Sequence, residues 1–182
     1  RSRPPGPRPP RKHAMARAIR SFDLPAGSKL GEHYIIERRI GAGTEGEVYQ
    51  IRERGTGIQR AAKLYFPQRN PRGRTSAKLA RKLNALRHCS IVLHYHHSER
   101  LTIHEQPVVA MISELCEGEP LAQWINAHRG KRLQAYVALH VLWNLARGLE
   151  TIHSVGQYHA DVHSENILIK PRGIRFDLKL ID

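Results

Sequence analysis

Cysteine and long hydrophobic runs are scarce in this chain. Only Cys89 and Cys116 occur among its 182 residues, too few for a disulfide scaffold, so a reducing compartment is the default expectation. No uncharged run approaches the ~18 apolar residues that a membrane span requires, and no signal-peptide pattern is present. We therefore expect a cytoplasmic protein that does not enter a membrane.

Acidic residues are missing from two long stretches. Residues 1–20 carry seven Lys or Arg and no acid, amid the prolines of RSRPPGPRPP, a composition that cannot pack a core. We expect residues 1–29 to form a basic, disordered tail, where an acidic partner could bind. Residues 54–87 carry ten Lys or Arg and no acid. Aromatic residues do not alternate with these charges as stacking platforms would, so we expect a solvated surface and no nucleic-acid partner.

The first half of the remaining chain reads as a β-rich lobe. Short strand-like runs are separated by Gly-rich and Pro-rich turns, and one amphipathic helix is predicted at residues 75–88, which place leucines on one face. Two more strands are predicted at residues 91–99 and 106–115. We assign residues 30–115 to this lobe.

The second half is predicted to be mainly helical. A short helix follows Pro120, a long helix covers residues 134–153, and the chain closes with a hairpin of two strands. The long helix should pack its apolar side chains into the lobe; the predicted set is Ala138, Leu142, Leu145, Leu149 and Ile152. Residues 116–182 then form a second lobe. The fold class is α+β, with a joint where a cleft could lie.

A glycine-rich stretch, GAGTEGEV, lies between two predicted strands and contains Gly41, Gly43, Gly46 and Val48. Glycines at these offsets allow backbone N–H groups to approach an anion closely. A hairpin that uses glycine only for its turn is an equal alternative. A dinucleotide-binding fold would follow the glycines with a helix, and a P-loop would need Gly-Lys-Ser or Gly-Lys-Thr; neither pattern is present.

Polar residues in two other places indicate a site for phosphate and a hard cation. Lys63 interrupts an apolar strand, where an ammonium must reach an anion or water. In YHADVHSENILI, Asp161 can orient a hydroxyl, while the oxygens of Asn166 and of Asp182 near the hairpin end are ligands that Mg²⁺ prefers. Each residue alone is as well explained by a turn, a cap or an edge lysine. Their combination favours the site.

The order of these motifs resembles that of the protein kinases. The resemblance covers residues 33–182 and comprises GxGxxGxV, AAK, the hinge MISELCEG, HADVHSEN in place of the His-Arg-Asp loop, and LID as the start of Asp-Phe-Gly. It implies a serine/threonine protein kinase catalytic domain of eukaryotic type. Its bilobal fold would have an antiparallel N-lobe sheet with one helix and an incomplete, mainly helical C-lobe.

The resemblance also implies roles for individual residues. Lys63 would hold the α and β phosphates of ATP, Asp161 would accept or orient the substrate proton, and Asn166 with Asp182 would bind Mg²⁺. The adenine would pair with hinge backbone between apolar side chains. The implied ATP-binding set is Gly41, Ala42, Gly43, Gly46, Val48, Ala61, Lys63, Glu114, Cys116 and Leu168.

Three departures make this an atypical member of the family. The helix glutamate that pairs with the kinase lysine should stand near Leu79, yet the predicted helix contains no acid. Ala160 replaces the arginine of His-Arg-Asp, and that arginine would meet a phosphorylated activation loop. His163 stands where serine/threonine kinases have lysine and resembles the small-molecule kinases related to aminoglycoside phosphotransferases.

Three functions therefore stay open. The leading one is Mg²⁺-dependent transfer of the ATP γ-phosphate to a protein serine or threonine, and the alternatives are a pseudokinase and a kinase of a small molecule.

The chain begins with Arg, with Met15 as a candidate start, and stops at the Asp of Asp-Phe-Gly. We expect a truncated fragment that is inactive alone and leaves the apolar face of the 134–153 helix exposed.

Overall fold

A computed structural model describes residues 18–128, 130, 132–173 and 175–181. Residues 1–17 of the predicted tail and the predicted metal ligand Asp182 lie outside these ranges. No helix in the described part of the chain is long and apolar enough to cross a membrane.

A six-stranded antiparallel sheet forms the first lobe. Its strands are Lys29–Leu30 (β1), Tyr34–Ala42 (β2), Gly46–Glu53 (β3), Gln59–Tyr65 (β4), Tyr95–Ile103 (β5) and Gln106–Glu114 (β6). Their order is β1-β2-β3-β4-β6-β5. His104 and Glu105 form the two-residue turn between β5 and β6 with positive φ at both positions, as a tightly twisted hairpin requires.

Alternation along β4 gives the sheet two apolar faces. Ala62 and Leu64 are fully buried in one cluster with side chains of β2, β3 and β6. Tyr65 points to the opposite face, where it joins a second cluster that includes Met111 of β6. Because side chains of a strand alternate between faces, Lys63 lies on the same side as Tyr65. This side faces the rest of the molecule.

One helix, Arg74–Ala85 (α1), covers part of that second face. Leu83 and the following Leu86 are buried in the second cluster, as the leucine spacing predicts. Buried Asn70 accepts a hydrogen bond from the Ser76 backbone N–H and fixes the start of the helix. The basic side chains of α1 are thereby left on its other faces.

The second lobe contains two helices and a small sheet. The helices are Leu121–Ala127 (α2) and Ala135–Ser154 (α3), and the strands are Glu119–Pro120 (β7), Ile167–Arg172 (β8) and Arg175–Leu180 (β9), in the order β7-β8-β9. Leu180 joins the lobes, because its N–H donates to Ile91 O at 2.7 Å and its carbonyl accepts from Leu93 N–H at 3.0 Å. The α+β, bilobal prediction is confirmed.

The predicted apolar face of α3 is confirmed except at Leu142. Ile152 is fully buried, Leu145 and Leu149 pack against the second cluster, and Ala138 is half-buried. Leu142 is 61% exposed, and the neighbouring Val141 is buried instead. Tyr136, Leu139 and Trp143 are exposed on the same side as Leu142. Gly148 lies against Ile91, where an added Cβ would come within 2.6 Å of the isoleucine side chain.

The strand predicted at residues 91–99 is displaced. The structure begins β5 at Tyr95 and continues it to Ile103, while residues 91–93 make the backbone contacts to Leu180 instead. The polar alternation of β5 reflects its position at the sheet edge, with one face solvated. The apolar residues 91–93, which suggested a strand, form the contact between the lobes instead.

The end of the predicted tail is ordered, contrary to the expectation of disorder through residue 29. Phe22 is fully buried in the first cluster, with its ring 5.2 Å from that of Phe66. Its N–H donates to Glu47 Oε2 at 3.1 Å, and its carbonyl accepts from His104 Nε2 at 2.9 Å. We call residues 19–24 the strap. One buried aromatic side chain with satisfied backbone groups is enough to hold a short segment. The basic composition of the residues before it led to the wrong prediction of disorder.

Replacement of Phe22 by Ala should destabilise the sheet lobe by about 3 kcal/mol, because it removes a buried ring from a packed cluster. Urea unfolding monitored by circular dichroism measures this loss. Asp23→Ala is the matched control in the same strap, since Asp23 is exposed. Equal stability of the Phe22 variant and the control would show that the strap does not hold the lobe.

Candidate active site

A large cleft separates the sheet from the second lobe. Its volume is about 1380 Å³, enough for a nucleotide-sized ligand. Its walls come from the turn between β2 and β3, from β4, α1, the connector after β6 and the loop of residues 156–166. The predicted residues that line it are Gly41, Ala42, Gly43, Gly46, Val48, Lys63, Cys116, Asp161, Asn166 and Leu168.

Two predicted residues do not line the cleft. Ala61 is buried in β4 opposite Gln50 and Ser113. The carboxylate of Glu114 accepts hydrogen bonds from Lys179 Nζ at 2.6 Å and from His94 N–H at 2.9 Å. The Glu114 side chain therefore ties the hinge to the second lobe and leaves ligand contact to neighbouring residues.

The glycine-rich turn is a tight hairpin above the cleft. Gly43 N–H donates to Gly46 O at 2.9 Å, and Phe66 N–H donates to Glu45 O at 2.9 Å. A Cβ on Gly46 would lie 1.9 Å from Leu64 O, so only glycine fits where the turn meets β4. Gly43 has open space in the same direction. The sequence allowed two explanations for these glycines, approach to an anion or the geometry of the turn. At Gly46 the turn itself requires glycine, because the backbone packs closely against β4.

Lys63 lies beneath this turn, in the middle of the sheet. It pairs across β4 with Val48 on one side and Met111 on the other, and it is 9% exposed. Its Nζ is 3.2 Å from Glu45 Oε2 and 5.2 Å from the centre of the Tyr65 ring. A buried ammonium needs such partners because desolvation otherwise costs several kcal/mol.

Helix α1 presents cations to the cleft. Lys78, Arg81 and Lys82 line it together with Leu79. Lys82 Nζ donates to His159 O at 2.8 Å. Burial lowers the pKa of Lys82, the charge of Lys78 lowers it further, and the carboxylate of Asp161 opposes the shift. Sequence reasoning identified the missing acid near Leu79 but not that Lys82 would reach the loop.

Asp161 and Asn166 meet in that loop, on the side of the cleft across from the sheet. Asn166 Nδ2 donates to Asp161 Oδ2 at 3.0 Å and to Asp161 O at 3.2 Å. His163 Nε2 is 3.7 Å from the same carboxylate oxygen. Ala160 has a φ of 67°, a left-handed conformation that is uncommon for a residue with a side chain. The loop thus turns sharply just before Asp161.

The cleft has a roof and a floor that suit a flat apolar ring. Val48 lies above, and Leu168 and Ile181 lie below. Cys116 lies at the connector between the lobes, where burial raises the pKa of its thiol to about 12, with a further contribution from the Glu114 charge. Such a thiol is protonated and inert near neutral pH. Ile181 was not predicted to line the cleft. It lies there because its N–H donates to the Asn166 carbonyl at 2.9 Å.

Comparison with known proteins identifies the family of this chain. The family model of the protein kinase domain matches residues 34–182, and the chain belongs to the protein kinase family. It is 30% identical over 153 residues to the serine/threonine-protein kinase PknA of Mycobacterium tuberculosis, a match that covers 81% of this chain and 34% of that protein.

Two other relatives show similar coverage. The chain is 28% identical over 153 residues to CBL-interacting protein kinase 30 of rice, covering 82% of this chain and 30% of that protein. It is 29% identical over 163 residues to the human dual specificity testis-specific protein kinase 1, covering 90% and 24%. The chain thus spans about a quarter to a third of these relatives.

A solved structure shares the fold. It is the kinase domain of PknI from Mycobacterium tuberculosis, crystallised as a double mutant, with a TM-score of 0.67 and 22% identity. The match covers 87% of this chain and 61% of that domain. At this identity it supports the fold alone.

Replacement of Gly46 by Ala should lower the free energy of unfolding by about 1–3 kcal/mol, because the new Cβ meets backbone that cannot move aside easily. Gly43→Ala is the matched control, since its Cβ meets nothing within 4 Å. Thermal unfolding of both variants beside the wild type measures the difference. Equal melting temperatures for the two variants would refute the tight contact with Leu64.

Alkylation of Cys116 by iodoacetamide near neutral pH should be about a thousandfold slower than that of glutathione, because its thiolate fraction is correspondingly small. The rate should rise with pH until the pKa is reached. Peptide mass spectrometry separates Cys116 from the buried Cys89. Alkylation as fast as that of glutathione would contradict a raised pKa.

Proposed function

We propose that this chain contains the ATP-binding part of a protein kinase that transfers the γ-phosphoryl group to a serine or threonine hydroxyl in the presence of Mg²⁺. One observation carries the proposal: Lys63, beneath the glycine-rich turn, lines the same cleft as Asp161 and Asn166. A cation for phosphates then faces a carboxylate for a hydroxyl across a space of nucleotide size.

The adenine ring has an apolar slot at the connector. We place it between Val48 above and Leu168 below, beside Cys116, with backbone groups of residues 114 and 116 as its hydrogen-bonding partners. The triphosphate would extend under Gly41 and Gly46 towards Lys63. Backbone N–H groups of a glycine-rich turn and one ammonium are a common set of phosphate ligands.

Asp161 is the proposed catalytic residue. Its carboxylate is exposed to the cleft and oriented by Asn166 Nδ2, so it can accept the hydroxyl proton as the hydroxyl oxygen attacks the γ-phosphorus and the bond to ADP breaks. Lys63 would be the second catalytic residue, since it meets the phosphates. Positioning and charge neutralisation, more than covalent help, accelerate this reaction.

Residues that fit Mg²⁺ are present in the loop. Asn166 donates its Nδ2 hydrogens to Asp161, so its Oδ1 points away from Asp161, and an amide oxygen beside a carboxylate is a hard donor set. Asn166 would hold the ion together with Asp182. When bound, Mg²⁺ neutralises phosphate charge.

The remaining proposals concern the whole protein. We propose that the protein is cytoplasmic and that its lobes meet between residues 115 and 116. We also propose that the basic segment before the strap binds an acidic partner and not nucleic acid. A pseudokinase is the second candidate, favoured by α1, which has no acid at or near Leu79, where a carboxylate is expected. A small-molecule kinase is the third, favoured by His163 beside Asp161.

Asp161→Asn in the full-length protein should reduce phosphate transfer from γ-labelled ATP to a mixture of protein acceptors by at least about a hundredfold, because no carboxylate remains for the proton. Asp177→Asn is the matched control, since Asp177 of β9 pairs with Arg172 of β8 and neither residue lines the cleft. The control should keep full activity, and transfer should need Mg²⁺.

The outcomes separate the candidate functions. Transfer to a small molecule only would establish the third candidate, and ATP binding without any transfer would establish the pseudokinase. Full activity of the Asp161 variant would contradict the catalytic assignment.

A further inference from the structure

A carboxylate that faces Lys63 comes from an unexpected element. Glu45 lies at the tip of the glycine-rich turn, and its Oε2 is 3.2 Å from Lys63 Nζ. Lys63 is buried, whereas the Glu45 side chain is 47% exposed. The ion pair therefore joins the roof of the cleft to the sheet, across the space where we place the phosphates.

Helix α1 is unable to provide this carboxylate. It contains no acid between Arg74 and Ala85, and its cleft face carries Lys78, Arg81 and Lys82 around the apolar Leu79. These cations repel one another, as the lowered pKa of Lys82 reflects after the larger effect of burial. An anion near them is favourable, so the cleft has an excess of positive charge that Glu45 reduces.

The backbone fixes where the Glu45 side chain begins and leaves its end free to move. Glu45 O accepts from Phe66 N–H, and the neighbouring Gly43 and Gly46 close the turn. Its exposure allows the carboxylate to swing out to solvent. Glu47, two residues later, differs in every respect, because it is 2% exposed and accepts from Tyr49, Ser21, Arg39 and the Phe22 N–H.

We propose that Glu45 is a positioning residue that neutralises Lys63 in the empty cleft and competes there with the phosphate groups of a nucleotide. The inference rests on the proposed binding of ATP to this cleft. A helix glutamate would meet the ammonium from the side of α1, but Glu45 meets it from the glycine-rich turn, in the space where we place the phosphates, so the carboxylate and the phosphates would repel each other there. Phosphates must therefore displace Glu45, and the free energy needed to break the Glu45–Lys63 pair reduces their affinity for the cleft.

This competition makes a specific prediction about ligands. It weakens the binding of ATP and ADP, whose phosphates reach Lys63, and it leaves adenosine unaffected. It also ties the turn to the sheet when no nucleotide is present. Glu45 thus supplies a carboxylate partner to Lys63 that α1 does not, and it does so only in the unliganded state.

Isothermal titration calorimetry on the full-length protein tests the proposal with ATP, ADP and adenosine as separate ligands. Glu45→Gln should bind ATP and ADP about three- to tenfold more tightly than the wild type, which is the range expected for a pair with one exposed partner. Adenosine affinity should stay the same. Added salt should narrow the difference between variant and wild type, since it screens the exposed carboxylate.

Two control variants separate the ion pair from other effects. Glu32→Gln neutralises an exposed glutamate in the turn between β1 and β2 and should change no affinity. In a Lys63→Met background, Glu45→Gln should no longer tighten ATP binding, because no ammonium is left to compete for. Unequal effects of Glu45→Gln in the two backgrounds would be the direct sign of coupling.

Each remaining outcome is decisive. Equal or weaker ATP binding by Glu45→Gln would overturn the competition. A gain in adenosine affinity as large as that for ATP would assign Glu45 to general closure of the cleft and would also overturn it. If neither wild type nor variant binds any of the three ligands, the proposed ATP site itself fails, and urea unfolding of the Glu45, Lys63 and double variants still tests whether the ion pair exists.

Discussion

The burial of one ammonium group organises this molecule. Lys63 is placed in the middle of a sheet, on the face that looks into the cleft, by the same alternation that buries Ala62 and Leu64 on the other side. A cation in that position must be matched by anions, because its desolvation is costly. The glycine-rich turn meets this need with the carboxylate of Glu45, 3.2 Å from the ammonium.

The charges around Lys63 are distributed in an uncommon way. The helix is basic, and its Lys82 donates a hydrogen bond to the carbonyl of His159, in the loop that carries Asp161. The acids lie instead on the glycine-rich turn and in that loop. The sheet that carries Lys63 is in turn supported from behind by the strap, whose Phe22 packs against Phe66 and whose backbone binds Glu47. The strand β3 thus connects the glycine-rich turn to the strap, because Glu47 of β3 accepts the Phe22 N–H.

Much of this architecture could be predicted from the sequence, because short-range signals are strong in it. Glycines separated β2 from β3, leucines at helical spacing marked α1, and a Pro-Arg-Gly turn marked the hairpin of β8 and β9. The family motifs then placed Lys63, Asp161 and Asn166 in one cleft. What escaped prediction depends on long-range packing: the buried strap, the exposure of Leu142 on α3, and the pairing of Glu45 with Lys63. None of these leaves a periodic signal, since each requires two distant segments to meet.

The central claim is that this cleft receives the phosphates of ATP at Lys63. A crystal structure of the full-length protein with Mg²⁺ and a non-hydrolysable ATP analogue tests it most directly. The account predicts a phosphate oxygen within about 3 Å of Lys63 Nζ, the adenine beside Cys116, and the Glu45 carboxylate turned away from the ammonium. A nucleotide bound elsewhere, or phosphates in the cleft while Glu45 still holds Lys63, would contradict it.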